Sequence, residues 1–207
     1  MTLRFSSEGE NPPFVAGQFI TVYFPELCVP EGKAYSISSV PGDTELSITV
    51  KALGQFSRRL CAMRAGDSFL GSDPYGFFFS EEKETPLVML AVGIGITPFR
   101  SIIKDATEQS SEQKLILIYS NRAPEDAAFV DDLEEWQAHN TNFNFVTRWT
   151  KEDGHIDEQF LKKHIKNLAA PMYYVAGPAG MVAGTTQLLI EIGVKEDNIR
   201  FEEFAGY

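Results

Sequence analysis

Two glycine-bearing turns, each at the end of an apolar run, carry the residue types that could hold a phosphate-bearing ligand. Gly93-Ile94-Gly95-Ile96-Thr97-Pro98 follows LVMLAV, and Ala176-Gly177-Pro178-Ala179-Gly180-Met181 closes MYYVA. Glycine lets the backbone turn sharply and approach a ligand, and the free N–H groups at the start of a following helix attract a pyrophosphate. We expect Thr97 to cap that helix and Pro98 to lie in its first turn. Each turn alone also fits an ordinary strand-to-helix connection, because the first lacks the third glycine of the dinucleotide-binding fingerprint.

Two arginines close further strand candidates. Tyr119-Ser120-Asn121-Arg122 ends one, and Val146-Thr147-Arg148 ends the next. The planar guanidinium donates to two oxygens at once, so both arginines could grip a phosphate or a ribose at the same sheet edge. Ordinary solvated surface arginines are the alternative.

The N-terminal half holds a second group of candidates. Lys33-Ala34-Tyr35-Ser36 begins a strand pattern, and Gly54-Gln55-Phe56-Ser57 opens a helix pattern. Tyr35 and Phe56 offer flat faces, Ser36 a hydroxyl and Lys33 a positive charge, while the helix start offers N–H groups for phosphate. A plain strand followed by a capped helix explains the same residues if they are taken alone.

The two halves of the sequence predict different kinds of secondary structure around these residues. Residues 1–84 contain the alternating runs QFITVYF, AYSISSV and ELSITVK, which predict half-buried strands, with one helix from Ser57 to Ala65. That pattern fits a small antiparallel barrel or sandwich. In residues 85–207 apolar runs alternate with helix patterns, which predicts right-handed βαβ units and a doubly wound parallel sheet. The fold class we expect is therefore a two-domain α/β protein divided near residue 84.

The predicted elements of the second half have definite bounds. Strands are expected at 87–92, 115–119, 143–148, 172–176 and 199–204, and helices at 99–107, 124–138, 158–168 and 179–192. Ligands of such sheets bind outside the carboxyl ends of the strands. Both glycine turns and both arginines should thus meet at one edge.

Composition limits the function. The 207 residues carry a net charge of −11, which disfavours nucleic acid and anionic membranes. Two cysteines and three scattered histidines have no zinc or iron–sulfur spacing, so no metal site is expected. The start MTLRFSSEGE is unlike a secretory signal, and the longest apolar run, 87–96, is about half a membrane span. A cytoplasmic protein is the expectation.

Taken in order, these motifs resemble the ferredoxin–NADP reductase family of flavoproteins over nearly the whole chain. The family's R-x-Y-S strand corresponds to Lys33-Ala34-Tyr35-Ser36, its G-x-x-S/T helix start to Gly54-Gln55-Phe56-Ser57, and its G-x-G-x-x-P loop to Gly93–Pro98. Its C-G-P strand end corresponds to Ala176-Gly177-Pro178, and its terminal aromatic to Phe204-Ala205-Gly206-Tyr207.

The resemblance implies a barrel that binds FAD and a second domain that binds NADPH or NADH. Tyr35 would pack on the flavin, Ser36 would lie near flavin N5, and Tyr207 would stack on the ring system, making Ser36 and Tyr207 the expected catalytic residues. The other implied flavin contacts are Lys33, Ala34, the backbone of Val50 and Lys51, Gly54, Gln55, Phe56, Ser57 and Phe204. The implied nicotinamide-nucleotide contacts are Gly95, Ile96, Thr97, Pro98, Ser120, Arg122, Arg148, Gly177, Pro178 and Met181.

Three departures from the family pattern stand out. Lys33 replaces the usual arginine and loses its bidentate fork, which should weaken flavin binding. Ala176 replaces a cysteine that helps to orient nicotinamide. The first barrel strand is expected to be absent or shortened, so another surface, such as a partner subunit, could cover the open edge.

The implied function is an FAD-dependent NAD(P)H oxidoreductase that passes hydride to flavin N5 and electrons to a separate acceptor, either a small redox protein such as ferredoxin or flavodoxin or a small molecule. Lys33, Lys51, Arg58, Arg59 and Arg64 could form a docking patch for such an acceptor or could be ordinary solvated charges. Two alternatives stay open: a flavin or ferric reductase that uses flavin as a substrate, and an electron-transfer subunit of a larger complex. The choice between NADPH and NADH is also open, with a slight preference for NADPH because of the two arginines.

Overall fold

The computed structural model describes residues 1–79 and 83–204, and its N-terminal half is built from short antiparallel strands. These elements are β1 (Thr2–Phe5), β2 (Phe19–Tyr23), β3 (Lys33–Ser36), β4 (Leu46–Thr49), α1 (Gln55–Cys61) and β5 (Leu70–Gly71). β1 pairs with β4, and β2 lies between β3 and β5. Alternating apolar residues of these strands, such as Ile20, Val22 and Ile48, form one core on which α1 packs.

The antiparallel strands predicted for this half are present, but among the described residues they do not form a single barrel sheet. They make a two-stranded and a three-stranded sheet, connected by a single bridge between Ile37 and Ile48. The chain passes from one sheet to the other at this point, because the Ile37 N–H bonds to Gln18 and the next N–H, of Ser38, bonds to Ser47. The strand expected to reach Val40 therefore ends at Ser36.

The C-terminal half is the predicted doubly wound parallel sheet. Its elements are β6 (Leu87–Val92), α2 (Ile96–Glu108), β7 (Leu115–Asn121), α3 (Val130–His139), β8 (Phe143–Trp149), α4 (Thr150–Asp153), α5 (Glu158–His164), β9 (Met172–Gly177), α6 (Ala179–Glu191) and β10 (Ile199–Glu203). The strand order is β10-β9-β6-β7-β8, all parallel. The order reverses between β6 and β9, which is where sheets of this kind bind ligands.

Apolar side chains cover both faces of this sheet, as expected for strands that read as continuous hydrophobic runs. Phe99 and Ile103 of α2 and Leu133 of α3 pack on one face. Leu161 of α5 and Leu189 of α6 pack on the other.

Most helix ends differ slightly from the sequence expectation. α2 begins at Ile96 instead of residue 99, α5 ends at His164 instead of residue 168, and α3 begins at Val130 instead of residue 124. Pro124–Asp126 form a separate 3-10 turn, and Phe129 has φ of 63°. A non-glycine residue with that φ cannot continue a right-handed helix, so α3 starts after it.

One face of α2 and one residue of β9 contact the N-terminal half. Arg100 donates to the carbonyl of Ser38, Ser101 donates to the carbonyl of Ser39, and Lys104 forms an ion pair with Asp43. At the other end of the contact, the Tyr174 hydroxyl donates to the carbonyl of Phe79. Among the described residues, no helix has the length and hydropathy needed to cross a bilayer.

Candidate functional site

A cleft of about 490 Å³ lies where the N-terminal strands meet the carboxyl edge of the parallel sheet. It brings together most of the residues that the resemblance assigns to flavin. Those lining it are Lys33, Ala34, Tyr35, Ser36, Val50, Lys51, Gly54, Gln55, Phe56, Ser57 and Phe204. Thr97, which the resemblance assigns to the nicotinamide nucleotide, lines it as well. Sequence reasoning missed five further lining residues, Phe19, Thr49, Ile94, Glu202 and Glu203.

Ser36 ends β3 and lies opposite Phe19 in the antiparallel pair. Its side chain is buried, and its hydroxyl makes no hydrogen bond to the described part of the chain. Other serines nearby are engaged, because the Ser38 hydroxyl bonds to those of Ser47 and Thr49. A hydroxyl without a partner, on a largely buried residue at a cleft wall, is a group suited to bind a ligand.

The start of α1 is held by Ser57, but differently from the prediction. The helix begins at Gln55, so Ser57 lies in its first turn and Gly54 is the N-cap residue. The Ser57 hydroxyl accepts the N–H groups of Leu53 and Gly54, each at 3.0 Å, and donates to the carbonyl of Gly54 at 3.1 Å. This hydroxyl therefore fixes the turn, and the N–H groups of the first helical turn have no partner within the helix.

The turn after β6 packs directly against the end of β9. Gly93–Gly95 form a 3-10 turn, and a β-carbon on Gly95 would lie 2.0 Å from the carbonyl oxygen of Ala176. A β-carbon on Gly177 would lie 2.9 Å from that of Val92. Only residues without side chains allow these two strand ends to approach so closely, and the approach is at the point where the strand order reverses.

Thr97 is not the helix cap that the sequence predicts. It lies inside the first turn of α2, and its hydroxyl donates to the carbonyl of Ile94 at 3.0 Å. Ile96 and Pro98 are buried, so their side chains stabilise the turn from the core side. Gly95 is the N-cap residue in place of Thr97.

Both backbone polar groups of Val50 form hydrogen bonds with Met1. Its N–H donates to the carbonyl of Met1 at 2.9 Å, and its carbonyl accepts from the nitrogen of Met1 at 3.0 Å. Val50 is buried and lines the cleft, so its predicted backbone contact with a ligand stays a prediction. Lys51 is exposed, and its Nζ lies 3.7 Å from Asp126 in the turn after β7.

The two arginines predicted to bind nucleotide differ in their surroundings. Arg122 is exposed at the end of β7. Arg148 is held by its own chain: Nε donates to the carbonyl of Gly154 at 3.1 Å, and the guanidinium also contacts the carbonyls of Asp153 and His155. It further pairs with Asp157 at 3.7 Å and lies over the ring of Phe160. The structure thus leaves Arg122 open to a ligand and gives Arg148 a role in holding its own loop.

A second cavity, about 330 Å³, lies beyond these strand ends and is not foreseen from the sequence. It is bordered by Phe129, Asp131 and Asp132 near the start of α3 and by Trp149 at the end of β8. Ser120 is buried between the strands, paired with Val92 on one side and Arg148 on the other. The sequence signal for this cavity is Trp149, an aromatic residue directly after the strand-ending Arg148.

Residues of β9, α6 and β10 complete the edge. Pro178 precedes α6, and its carbonyl accepts the N–H of Met181, which is half-buried. The N–H of Phe204 donates to the carbonyl of Gly177 at 2.9 Å, which extends the pairing of β10 with β9 by one residue. Tyr207 lies outside the described residues, so its predicted stacking stays a prediction.

Glu202, on β10 beside Ala176, adds a titratable group to the cleft. Burial raises the pKa of its carboxyl from the ordinary value of 4.5 to about 7. Among the described residues, no group of three or more His, Cys, Asp or Glu side chains could hold a metal ion.

Comparison with known proteins agrees with this geometry. Residues 89–187 match the family model of the oxidoreductase NAD-binding domain. One subunit of the Na⁺-translocating NADH-quinone reductase of Haemophilus ducreyi is 27% identical over 253 aligned positions, covering 96% of this chain and 62% of the relative. The corresponding subunit of Pasteurella multocida gives the same values. The chain therefore spans 62% of the length of these curated relatives.

Solved structures show the same fold over both halves. The ferredoxin–NADP⁺ reductase of Neisseria gonorrhoeae, solved with FAD and NADP, is 26% identical with a TM-score of 0.77, covering 98% of this chain and 91% of that one. The corresponding enzyme of Plasmodium falciparum has a TM-score of 0.83 at 17% identity, over 98% and 88% of the two chains. The family-model match and these structural neighbours are ferredoxin–NADP reductase-like FAD/NAD-binding oxidoreductases, which is the resemblance that the motifs predict.

Proposed function

We propose that this chain binds FAD in the 490 Å³ cleft and uses it to carry electrons from NAD(P)H to a separate acceptor. The observation that supports the proposal best is that one cleft gathers Lys33, Tyr35 and Ser36 from β3, the start of α1, and the glycine turn after β6. Its volume is within the range of small-molecule and cofactor sites. A flavin held there would supply the hydride-accepting and one-electron chemistry.

The residues present fit such a group. The unpartnered hydroxyl of Ser36 can donate to a ring nitrogen, and Tyr35 offers an aromatic face. Lys33 and the N–H groups at the start of α1 can bind a pyrophosphate. Ser57 acts indirectly, since its hydroxyl holds the backbone turn that orients those N–H groups.

The nicotinamide nucleotide is proposed to lie along the carboxyl edge of the parallel sheet. Gly95 and Gly177 keep the strand-order reversal free of side chains, so a flat ring could reach the cleft there. Arg122 is placed to meet the phosphates or the ribose at the far end of the nucleotide, next to the second cavity. The division of the chain into two binding domains near residue 84 is part of this proposal.

The curated relatives favour a second candidate for the acceptor step. They are subunits of an NADH-quinone reductase, and this chain spans only part of their length. A chain of this kind could act as the NAD(P)H-oxidising part of a larger electron-transfer assembly. In that case we expect the isolated chain to reduce artificial electron acceptors but not the acceptor that the full assembly uses.

The visible absorbance spectrum of the purified chain, recorded before and after NADH or NADPH is added without oxygen, tests the proposal. A two-banded flavin spectrum that bleaches with either nucleotide supports it. A colourless protein that reduces added flavin would replace it with a reductase that uses flavin as a substrate. A protein that neither binds nor reduces flavin contradicts both.

A further inference from the structure

Arg100, on α2, contacts both the N-terminal half of the chain and helix α3. Its Nη1 donates to the carbonyl of Ser38 at 2.5 Å, and its Nη2 pairs with Asp132 of α3 at 2.8 Å. Its guanidinium lies 4.6 Å from the ring centre of Phe129 and 5.4 Å from that of Trp136. One side chain therefore connects three segments that are far apart in the sequence.

One end of this connection lies close in sequence to the main cleft, and the other end lines the second cavity. Ser38 follows Ser36 by two residues, and Ser36 lines the main cleft. Phe129 and Asp132 line the second cavity. The guanidinium thus spans from the end of β3 to the wall of the second cavity.

Stability alone does not explain the choice of arginine here. The Arg100 side chain is 17% exposed, and its Nε is buried with no hydrogen-bond partner in the described part of the chain. An unsatisfied buried donor costs free energy, and replacing buried ion pairs with apolar residues is often neutral or stabilising. What the planar fork adds is a fixed geometry, because it donates in two directions while stacking on rings.

We propose that Arg100 is a positioning residue that holds the end of β3 and the wall of the second cavity in one fixed arrangement. The inference rests on the proposed function, in which a ring held beside Ser36 must meet a nucleotide that extends toward the second cavity. Transfer between two bound rings needs near-contact distance and alignment, and a displacement of about 1 Å can slow such a step about 100-fold. Arg100 touches neither ring and acts through Ser38, Phe129 and Asp132.

Lys104 supplies a matched control. It lies one turn later on the same face of α2 and binds both carboxylate oxygens of Asp43 at 2.9 Å, on the same connecting loop as Ser38. It therefore ties the two halves together without reaching α3. Lys104→Met removes an attachment between the halves and leaves the connection to the second cavity intact.

Hydrogen exchange of the full chain, with whatever flavin it retains, gives a readout independent of turnover. Arg100→Met is expected to speed exchange at least fivefold both in residues 36–39 and in residues 129–133. Lys104→Met is expected to change only the region around 40–43. Arg100→Lys, which retains the charge but cannot bond Ser38 and Asp132 together, should behave like Arg100→Met in exchange even if its thermal stability is closer to that of the unaltered chain.

Stopped-flow reduction by the preferred nucleotide provides the second readout. Arg100→Met and Arg100→Lys should slow reduction at saturating nucleotide at least tenfold, with the nucleotide KM changed less than threefold, whereas Lys104→Met should stay within twofold of the unaltered chain. Unchanged exchange at either segment, or reduction at the unaltered rate, overturns the proposal. If the unaltered chain is not reduced by any nucleotide, the proposed function fails, and exchange alone decides whether Arg100 makes the connection.

Discussion

A β-carbon at position 95 would come within 2.0 Å of the carbonyl oxygen of Ala176. That contact joins the turn after β6 to the end of β9, the two strands between which the order of the sheet reverses. Gly177 makes the reciprocal approach toward Val92. The strand ends are thus packed backbone to backbone, and the space above them is left for a ligand instead of a side chain.

Gly95→Ala should therefore destabilise the protein and impair nucleotide binding together. Because backbone atoms would overlap, the two turns must separate, at a cost of about 1–3 kcal/mol. Gly180→Ala is the control, since a β-carbon there meets nothing within 4 Å and residue 180 lies in the helical first turn of α6. Urea unfolding and nucleotide titration should show losses for Gly95→Ala and a neutral or slightly stabilising change for Gly180→Ala.

Ser36→Ala should slow flavin reduction without loss of bound flavin. The Ser36 hydroxyl has no partner among the described residues, so its removal costs the fold little but deprives a bound ring of one donor. Loss of one such hydrogen bond corresponds to about a tenfold slower step.

Ser57→Ala provides the contrast, because that hydroxyl holds the turn before α1 through three hydrogen bonds. It should lower flavin retention and thermal stability first. Equal reduction rates for Ser36→Ala and the unaltered chain would remove Ser36 from the hydride step.

Arg122→Ala and Arg148→Ala should have different effects. Arg122 is exposed at the sheet edge, so its loss should raise the KM for NADPH about tenfold and that for NADH less than threefold if it binds the 2′-phosphate. Arg148 is held by loop carbonyls, Asp157 and Phe160, so its loss should loosen residues 153–157 and affect both nucleotides alike. Steady-state kinetics with both donors, beside exchange measurements on that loop, separate the two roles. Equal effects of Arg122→Ala on both donors would exclude the 2′-phosphate contact.

The parallel half can be predicted closely because its signals are local. Apolar runs such as 87–92 and 172–176 form strands with nearly the expected bounds. The glycine turns also lie where predicted, since a sharp strand-to-helix turn requires that residue type. The sequence does not show that Phe129 adopts a left-handed φ, so the pattern places the start of α3 six residues too early.

The N-terminal half and the polar contacts are harder to predict, because they depend on long-range pairing. Nothing local indicates that Ile37 and Ser38 bond to different sheets, so the sequence pattern predicts antiparallel strands without showing where the chain passes between sheets. In the same way, the sequence indicates that Arg148 could bind a ligand, but in the structure its guanidinium donates to the carbonyls of Gly154 and His155. The path of that turn is set by tertiary packing, so the sequence does not show these hydrogen bonds. The types of side chain in the sequence indicate where the site is. Whether each of these side chains is free to bind a ligand is seen only in the structure.

Glu202→Gln should change how stability depends on pH. Burial raises the pKa of this carboxyl from 4.5 to about 7, so between these values the unfolded chain loses the proton and the folded chain retains it. Glu202 therefore lowers the free energy of unfolding progressively as pH rises from about 4.5 to 7, with the full penalty, at most about 3 kcal/mol, present above pH 7. Urea unfolding at pH 5 and pH 8 should show Glu202→Gln gaining stability over the unaltered chain mainly at pH 8. Glu203→Gln, an exposed neighbour on the same strand, should show no such difference. A gain for Glu202→Gln of the same size at both pH values would mean that the carboxyl is ionised in the folded protein throughout this range.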